Sequence, residues 1–452
     1  IRRYLMKALR AITLLGFSVS ALVLTGAASA EELKEIRTLK DAVSIGVLTN
    51  PRTAVVQNNR RATDEELNQA KALYLPSIDF NGDTGLEYSD DPGTRGGTDG
   101  DDTETMWRYD VGVTLTQMLF DGYETKYEVE RQKNRIKSAT SRVDETLELV
   151  GLNIVENYLE VKRQRALRDI QKENVAKHEE ILTMIDDGAS AGRSTQADVE
   201  QARARLANAK AQLANNTEQL RIAEAAFKRE VGYMPGVLDM PIIPGTALAA
   251  DLQTEINKSL AYSPTLDVLE ADLEVAHSER MGTMSTFYPQ VDFQLNARTG
   301  EDLGGVEGDD TSASALFVVN WNLYRGGADV ARTKELVYRT AEAKERRAQT
   351  ARSIEDEVRR TWASRDAARD RAIQFRAQAA ANRQVVSAYL DQFNLSRRTL
   401  LDVLDAQNEL IVSRSNMINN EYLEMFAIYR LLAVRGDLMG IIGVDAPSEA
   451  EL

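Results

Sequence analysis

The chain of 452 residues has no cysteine, two histidines and nine prolines. Without cysteine there is no disulfide framework, thiolate metal site, iron–sulfur cluster, thiol nucleophile or lipid-anchored cysteine. His178 and His277 lie far apart in the sequence, which disfavours imidazole metal clusters and most catalytic triads. Basic residues are in deficit, 55 Lys and Arg against 70 Asp and Glu, and the formal charge of −15 repels phosphate backbones. No basic patch offsets it, so nucleic acid is excluded as a partner. Beyond the N-terminus no stretch approaches the roughly 20 apolar residues that a spanning helix needs. A membrane crossing would have to be made by strands. Any enzyme chemistry would rest on carboxylates alone, and no catalytic residue, metal ligand or cofactor is expected.

At the N-terminus Lys7 and Arg10 precede an apolar run over 11–24, and Ala28-Ser29-Ala30 offers small residues at a cleavage position. Residues 1–30 therefore read as a secretory signal peptide cut after Ala30. Arg2, Arg3, Lys7 and Arg10 leave with it, making the mature chain still more acidic. An exported, acidic, cysteine-free protein fits a bacterial envelope.

The remainder is duplicated. Asp198-Val199 with Ala202 returns as Asp402-Val403 with Ala406, Leu119 with Gly122 returns as Leu323 with Gly326, and Gly232 returns as Gly436, all at a spacing of 204 residues. Pro76-Ser77-Ile78-Asp79-Phe80 matches Pro289-Gln290-Val291-Asp292-Phe293 at 213. The first repeat spans 31–250 and the second 251–443; the acidic tail 444–452 is expected to fray.

Each repeat reads as a short helix, a hairpin, a very long helix and a return helix. From Gly122 to 187 there is no proline and only one further glycine, Gly151, among strong helix formers, and 326–392 are similar. At about 1.5 Å per residue, some 66 residues make a rod on the order of 100 Å long. The return helices span 194–231 and 398–435. In the first, Val199, Ala202, Leu206, Ala209, Leu213, Asn216, Leu220, Ala223 and Phe227 alternate steps of three and four, the spacing of a left-handed coiled coil. Together with the helix before the hairpin, this return helix nearly equals the rod in length, so the two are expected to stack end to end beside it.

The hairpins, 76–120 and 289–324, alternate with period two. Ile78, Phe80, Thr84, Leu86 and Tyr88 oppose Ser77, Asp79, Asn81, Asp83 and Glu87; Trp107, Tyr109, Val111, Val113 and Leu115 oppose Arg108, Asp110, Gly112, Thr114 and Thr116. In the second hairpin Val291, Phe293 and Leu295 oppose Gln290, Asp292 and Gln294, and Ala313, Ala315, Phe317, Val319 and Trp321 follow. Lipid-facing barrel strands need this pattern, and a half-buried soluble sheet also gives it. Two features favour lipid. The tips, 89–104 and 301–311, are rich in Gly and Asp, and the opposite ends carry Tyr74, Phe120, Tyr123, Phe287, Tyr288, Trp321 and Tyr324, like an interfacial girdle. Four strands cannot close, and an open edge in lipid strands backbone groups at several kcal/mol each. Three copies supplying twelve strands is the smallest symmetric ring that leaves a pore.

With its signal peptide and two repeats of helix, hairpin, long helix and return helix, the chain resembles the TolC family of outer-membrane channel proteins over about 39–443. The most specific motif is Arg398-Thr399-Leu400-Leu401-Asp402-Val403-Leu404-Asp405-Ala406. The resemblance implies a mixed α and β membrane protein: a homotrimer whose four strands per chain build a twelve-stranded β-barrel in outer-membrane lipid, above a periplasmic α-barrel of long coiled-coil helices. It implies an exit duct for small-molecule efflux or type I protein secretion, working with a periplasmic adaptor and an inner-membrane transporter. Asp402 and Asp405 would ring the channel entrance, Asp198 and Arg398 would form a closed-state link, and 234–250 would lie in an equatorial belt. Phe393 stands where the family often has a tyrosine, so that part of the polar network is missing.

The residues alone leave other readings open. Asp402 and Asp405, at i and i+3, share a helix face and could be two solvated charges, while paired-carboxylate catalysis lacks a pocket. Residues 96–102 resemble one calcium-binding repeat but lack its glycine spacing, and a solvated loop is expected. Residues 186–193 have no P-loop lysine. Both histidines are expected at the surface. The competing functions are a soluble periplasmic coiled-coil scaffold or adaptor and, more remotely, an envelope hydrolase.

Overall fold

The computed structural model describes residues 36–90, 103–395 and 397–451. The signal segment and the Gly- and Asp-rich 96–102 stretch lie outside the described residues. The first repeat runs α1 (Leu39–Thr49), α2 (Pro51–Ala72), β1 (Ser77–Ser89), β2 (Glu104–Phe120), α3 (Glu124–Ser190) and α4 (Gln196–Val231). The second runs α5 (Leu252–Tyr262), α6 (Pro264–Gly282), β3 (Gln290–Glu301), β4 (Asp309–Asn320), α7 (Ala328–Asn394) and α8 (Leu400–Arg435), and a short α9 (Leu438–Ile442) follows. The long helices α3 and α7 have 67 residues each and the return helices α4 and α8 have 36 each.

Local chemistry sets these limits twice over. Thr195 caps α4 and exchanges hydrogen bonds with Asp198, and Thr399 caps α8 and does the same with Asp402. Both return helices end on a left-handed glycine, Gly232 and Gly436. Each turn from strand into rod needs two successive positive φ angles, supplied by Gly122 and Tyr123 in the first repeat and by Gly326 and Gly327 in the second. A Cβ on Gly122 would also lie 2.8 Å from the Cβ of Tyr288, so no other residue fits there.

Helices α2 and α4 lie end to end along α3. Arg60 Nε donates to Thr140 Oγ1 at 2.7 Å beside α2, while Arg165–Glu224 at 3.1 Å and Lys210–Glu179 at 2.9 Å tie α4 to the other half of the rod. At the joint, the Thr49 hydroxyl and the Asn50 amide donate to the last carbonyls of α4, those of Val231 and Glu230, at 3.2 and 3.3 Å.

The main core lies around that joint and includes Val43, Val150, Ile154, Tyr158, Phe227, Leu432 and Leu438. Burying side chains of this size stabilises by about 1.5–3 kcal/mol each. Gly151, the one glycine in the middle of α3, sits where Met439 approaches: an added Cβ would lie 2.8 Å from its sulfur. The irregular segment 233–251 is strapped to the rods by side-chain donors. Tyr158 Oη donates to the carbonyls of Arg37 and Asp239, Lys162 Nζ to that of Leu238 and Tyr429 Oη to that of Ile242. The C-terminal tail is not frayed as expected. Glu449 pairs with Arg61 of α2 at 2.5 Å, and Ala450 packs on the main core. A second core, with Ile181, Ile185, Val199, Val403 and Leu404, fills the end of the rods farthest from the strands.

The strands form one antiparallel sheet in the order β1-β2-β3-β4, leaving β1 and β4 as edges. Among the described residues no helix is long and apolar enough to cross a membrane.

Candidate functional site

Register decides whether the alternation becomes a face, because a one-residue slip would send every side chain to the other side. Leu115 stands opposite Ile78 on β1 and Leu295 on β3, Val113 opposite Phe80 and Ala297, and Val111 opposite Gly82 and Thr299. On β4, Phe317 opposes Phe293 and Val319 opposes Val291. One face is thus apolar across all four strands, and Phe80, Trp107 and Phe317 on it are largely exposed. The other face carries Asp79, Thr114, Asn296 and Ser314 in one row and Asp83, Asp110 and Asp310 in another. Cross-strand ion pairs occupy that face: Arg108 with Asp83 and, at 3.3 Å, with Glu87; Arg298 with Asp110 at 2.7 Å.

At the helix-proximal ends Phe120, Tyr123 and Tyr288 come together edge to face, with ring centroids 5.6–6.4 Å apart. Lys126 Nζ lies 5.8 Å from the centre of the Tyr123 ring. Tyr74, Trp321 and Tyr324 make no such cluster and stand exposed at the same end of the sheet.

The opposite end of the rods holds the expected entrance residues. Asp402 is half-buried in the N-terminal cap of α8. Its Oδ2 accepts from the Thr399 hydroxyl at 2.7 Å and the Thr399 N–H at 3.1 Å. Those bonds, with the nearby Arg398 charge at 3.7 Å, hold its carboxyl below the usual carboxylate range. Asp405 is more exposed and pairs across helices with Arg205 of α4 at 3.1 Å. The two carboxylates therefore differ: one is absorbed by its own cap, and the other is engaged by a cation that the sequence did not single out. Arg205 lies seven residues after Asp198, two turns along α4, and nothing in its own helix distinguishes it from Arg203.

The link between Asp198 and Arg398 is not formed within the protomer. Asp198 is held by the cap of its own helix, its Oδ2 accepting from Thr195. Arg398 donates to Gln392 at 3.1 Å, and its guanidinium stacks 4.2 Å from the centre of the Tyr389 ring. Phe393 packs against the second core beside Tyr389. His178, expected at the surface, is buried between α3 and its neighbours; His277 is not. Among the described residues no group of three or more His, Asp or Glu could hold a metal ion.

A sheet with an apolar and a charged face, two free edges and rods extending from one end defines the subunit of a membrane duct. The chain belongs to the Outer membrane efflux protein family, whose model matches residues 48–232 and 256–433. It is 25% identical over 431 residues to the Outer membrane efflux protein BepC of Brucella suis biovar 1 (strain 1330), covering 95% of this chain and 91% of that one. It is 22% identical over 392 residues to the Outer membrane protein TolC of Salmonella enteritidis, covering 83% and 77%. The fold matches the Campylobacter jejuni CmeC outer membrane channel with a TM-score of 0.76 at 14% identity, over 88% and 86% of the two chains. The protein is an efflux exit duct of the Gram-negative outer membrane, with the fold of the trimeric TolC-like channels. Its family is one of channels and not of enzymes, and the reading as a soluble scaffold finds no support.

Proposed function

We propose that cargo enters at the α8 end of the rods, from an inner-membrane transporter docked through a periplasmic adaptor, and leaves through the strands. The observation that carries this reading is continuity. Each 67-residue helix runs unbroken from the strand turn to the end that bears Asp402 and Asp405, on the order of 100 Å away. Around a threefold axis these residues supply six carboxylates, tempered by Arg398 and Arg205 beside them, and this ring is the source of cation preference at the mouth. The Asp198 and Arg398 link belongs, in this reading, between neighbouring protomers when the mouth is closed, replacing part of each residue's contacts within its own chain. The test is genetic. Deleting the channel should raise retention of an effluxed dye, deleting the cognate adaptor should do the same, and the double deletion should add nothing. Additive effects would show that channel and adaptor do not serve one route.

A further inference from the structure

Next to the mouth, α3, α4 and α8 line a polar cleft of about 330 Å³ with Asn174, His178, Arg205, Asn208, Gln212 and Asn408, among others. A hydrogen bond at 3.3 Å from the Gln407 amide to Asn174 Oδ1 crosses from α8 to α3 beside it. His178 is buried, and its Nδ1 has no hydrogen-bond partner. Such a buried polar atom is costly unless it has a use. The charged groups around it are paired. From α4 come Arg205 and Lys210, the latter paired with Glu179 of α3; from α8 come Asp405, bound to Arg205, and Arg414, paired with Glu173 of α3; on α3 itself Lys177 pairs with Glu180. The imidazole shares the cleft with one cation, Arg205, which bridges α4 and α8 beside the buried apolar packing of Val199, Val403 and Leu404.

We propose that this three-helix junction is an acid-sensitive clamp: Arg205 holds Asp405 across from α4 to α8, adding to the apolar packing of Val199, Val403 and Leu404, and a proton on His178 weakens that hold. The neutral imidazole is compatible with Arg205. The imidazolium places a buried cation beside half-exposed Arg205, and the Arg205–Asp405 pair is too weak alone to oppose that. Burial and the Arg205 charge both hold His178 below its ordinary value of 6.5. The packed junction therefore keeps its full stability above that value and loses it as pH falls, because the separated, hydrated state takes up the proton first. Acid would loosen the mouth-bearing start of α8; that consequence for conduction rests on the entrance reading above.

The absence of cysteine allows clean spin labelling at Ala207→Cys on α4 and Glu409→Cys on α8, in trimers diluted with unlabelled chain. Between pH 7.5 and 5.5 the distance distribution should shift to a longer peak. His178→Gln should abolish the shift, and Arg205→Gln should show the longer peak at both pH values. An unchanged wild-type distribution, or a His178→Gln protein that shifts like wild type, overturns the clamp. Cation selectivity of Asp402→Asn trimers, which keep Asp405 and so the clamp, reports on the entrance reading and leaves the distance result independent of it.

Discussion

Arg435, the last residue of α8, and Glu255 of α5 form an ion pair at 3.1 Å with both side chains almost wholly buried, 5% and 0% exposed. Arg435 also donates to the carbonyl of Ala247 at 3.1 Å and pairs with Asp437, so every part of its fork is used. It fastens the segment after α4 to the end of α8. Removing Glu255 takes away the wholly buried counter-charge and leaves Arg435 only the half-exposed Asp437, at a cost that can approach the roughly 3–5 kcal/mol of breaking a buried pair. Glu255→Ala should lower the thermal midpoint of the helical region sharply, while Arg430→Ala, which breaks the exposed pair with Glu357, should change it little. Equal midpoints for the two variants would show that burial does not govern this contact.

The two strand faces should differ just as clearly. Val111 lies on the apolar face and Thr114 on the charged one. An arginine near the bilayer midplane costs about 2–4 kcal/mol on the lipid side and little in the lumen. Val111→Arg is therefore expected to reduce trimer yield in outer membranes well below that of Thr114→Arg, as read from fractionated cells. Similar yields would contradict the assignment of faces.

At the entrance, asparagine is a better probe than alanine. Asp402 accepts the Thr399 N–H within the helix cap, and losing that cap costs about 1 kcal/mol. Asp402→Asn/Asp405→Asn removes charge but keeps an acceptor. Reversal potentials across planar bilayers should move toward zero cation preference with trimer stability nearly unchanged. If selectivity persists, the filter lies elsewhere, most plainly among the exposed acids of the charged strand face, Asp79 and Asp83.

Stability should also fall in alkali. Glu148 on α3 accepts the N–H groups of Leu438 and Met439 at 3.1 and 3.2 Å. Burial pushes its carboxyl up to about 8, against the pull of those two bonds. A raised folded-state value makes this contribution full below the ordinary carboxylate value of 4.5. It is lost as pH rises through about 8. The wild-type midpoint is expected to drop between pH 6 and pH 9, and Glu148→Gln to flatten that slope. A Glu148→Gln protein that loses stability as steeply as wild type would place the titrating group elsewhere.

How far the sequence could be read depended on whether a feature is periodic. The alternation at Trp107, Tyr109, Val111, Val113 and Leu115 and the three-four spacing of α4 are local patterns repeated many times, so strand faces and coiled coil were visible. The duplication also showed where helices turn, since Thr195 with Asp198 and Thr399 with Asp402 are one capping device written twice. Long-range pairings carry no such signal. Arg205 meets Asp405 across 200 residues, and His178 looks like any helical histidine until three helices close around it. The tail was misread because its acids suggested solvation, whereas Arg61 gives Glu449 a partner. The Asp198 and Arg398 link failed within one chain because both ends already had nearer partners, a cap and an aromatic ring.

In the trimer β1 of one protomer meets β4 of the next, closing the four-stranded sheets into one barrel. A cysteine fixed at Phe317 on β4 and scanned along β1 from Ile78 to Leu86, in this chain without native cysteine, tests it most directly. The account predicts that some of these pairs oxidise in outer membranes to a covalent ladder ending at the trimer. Chains that stay monomeric at every scanned position, or a ladder running past three, would contradict it.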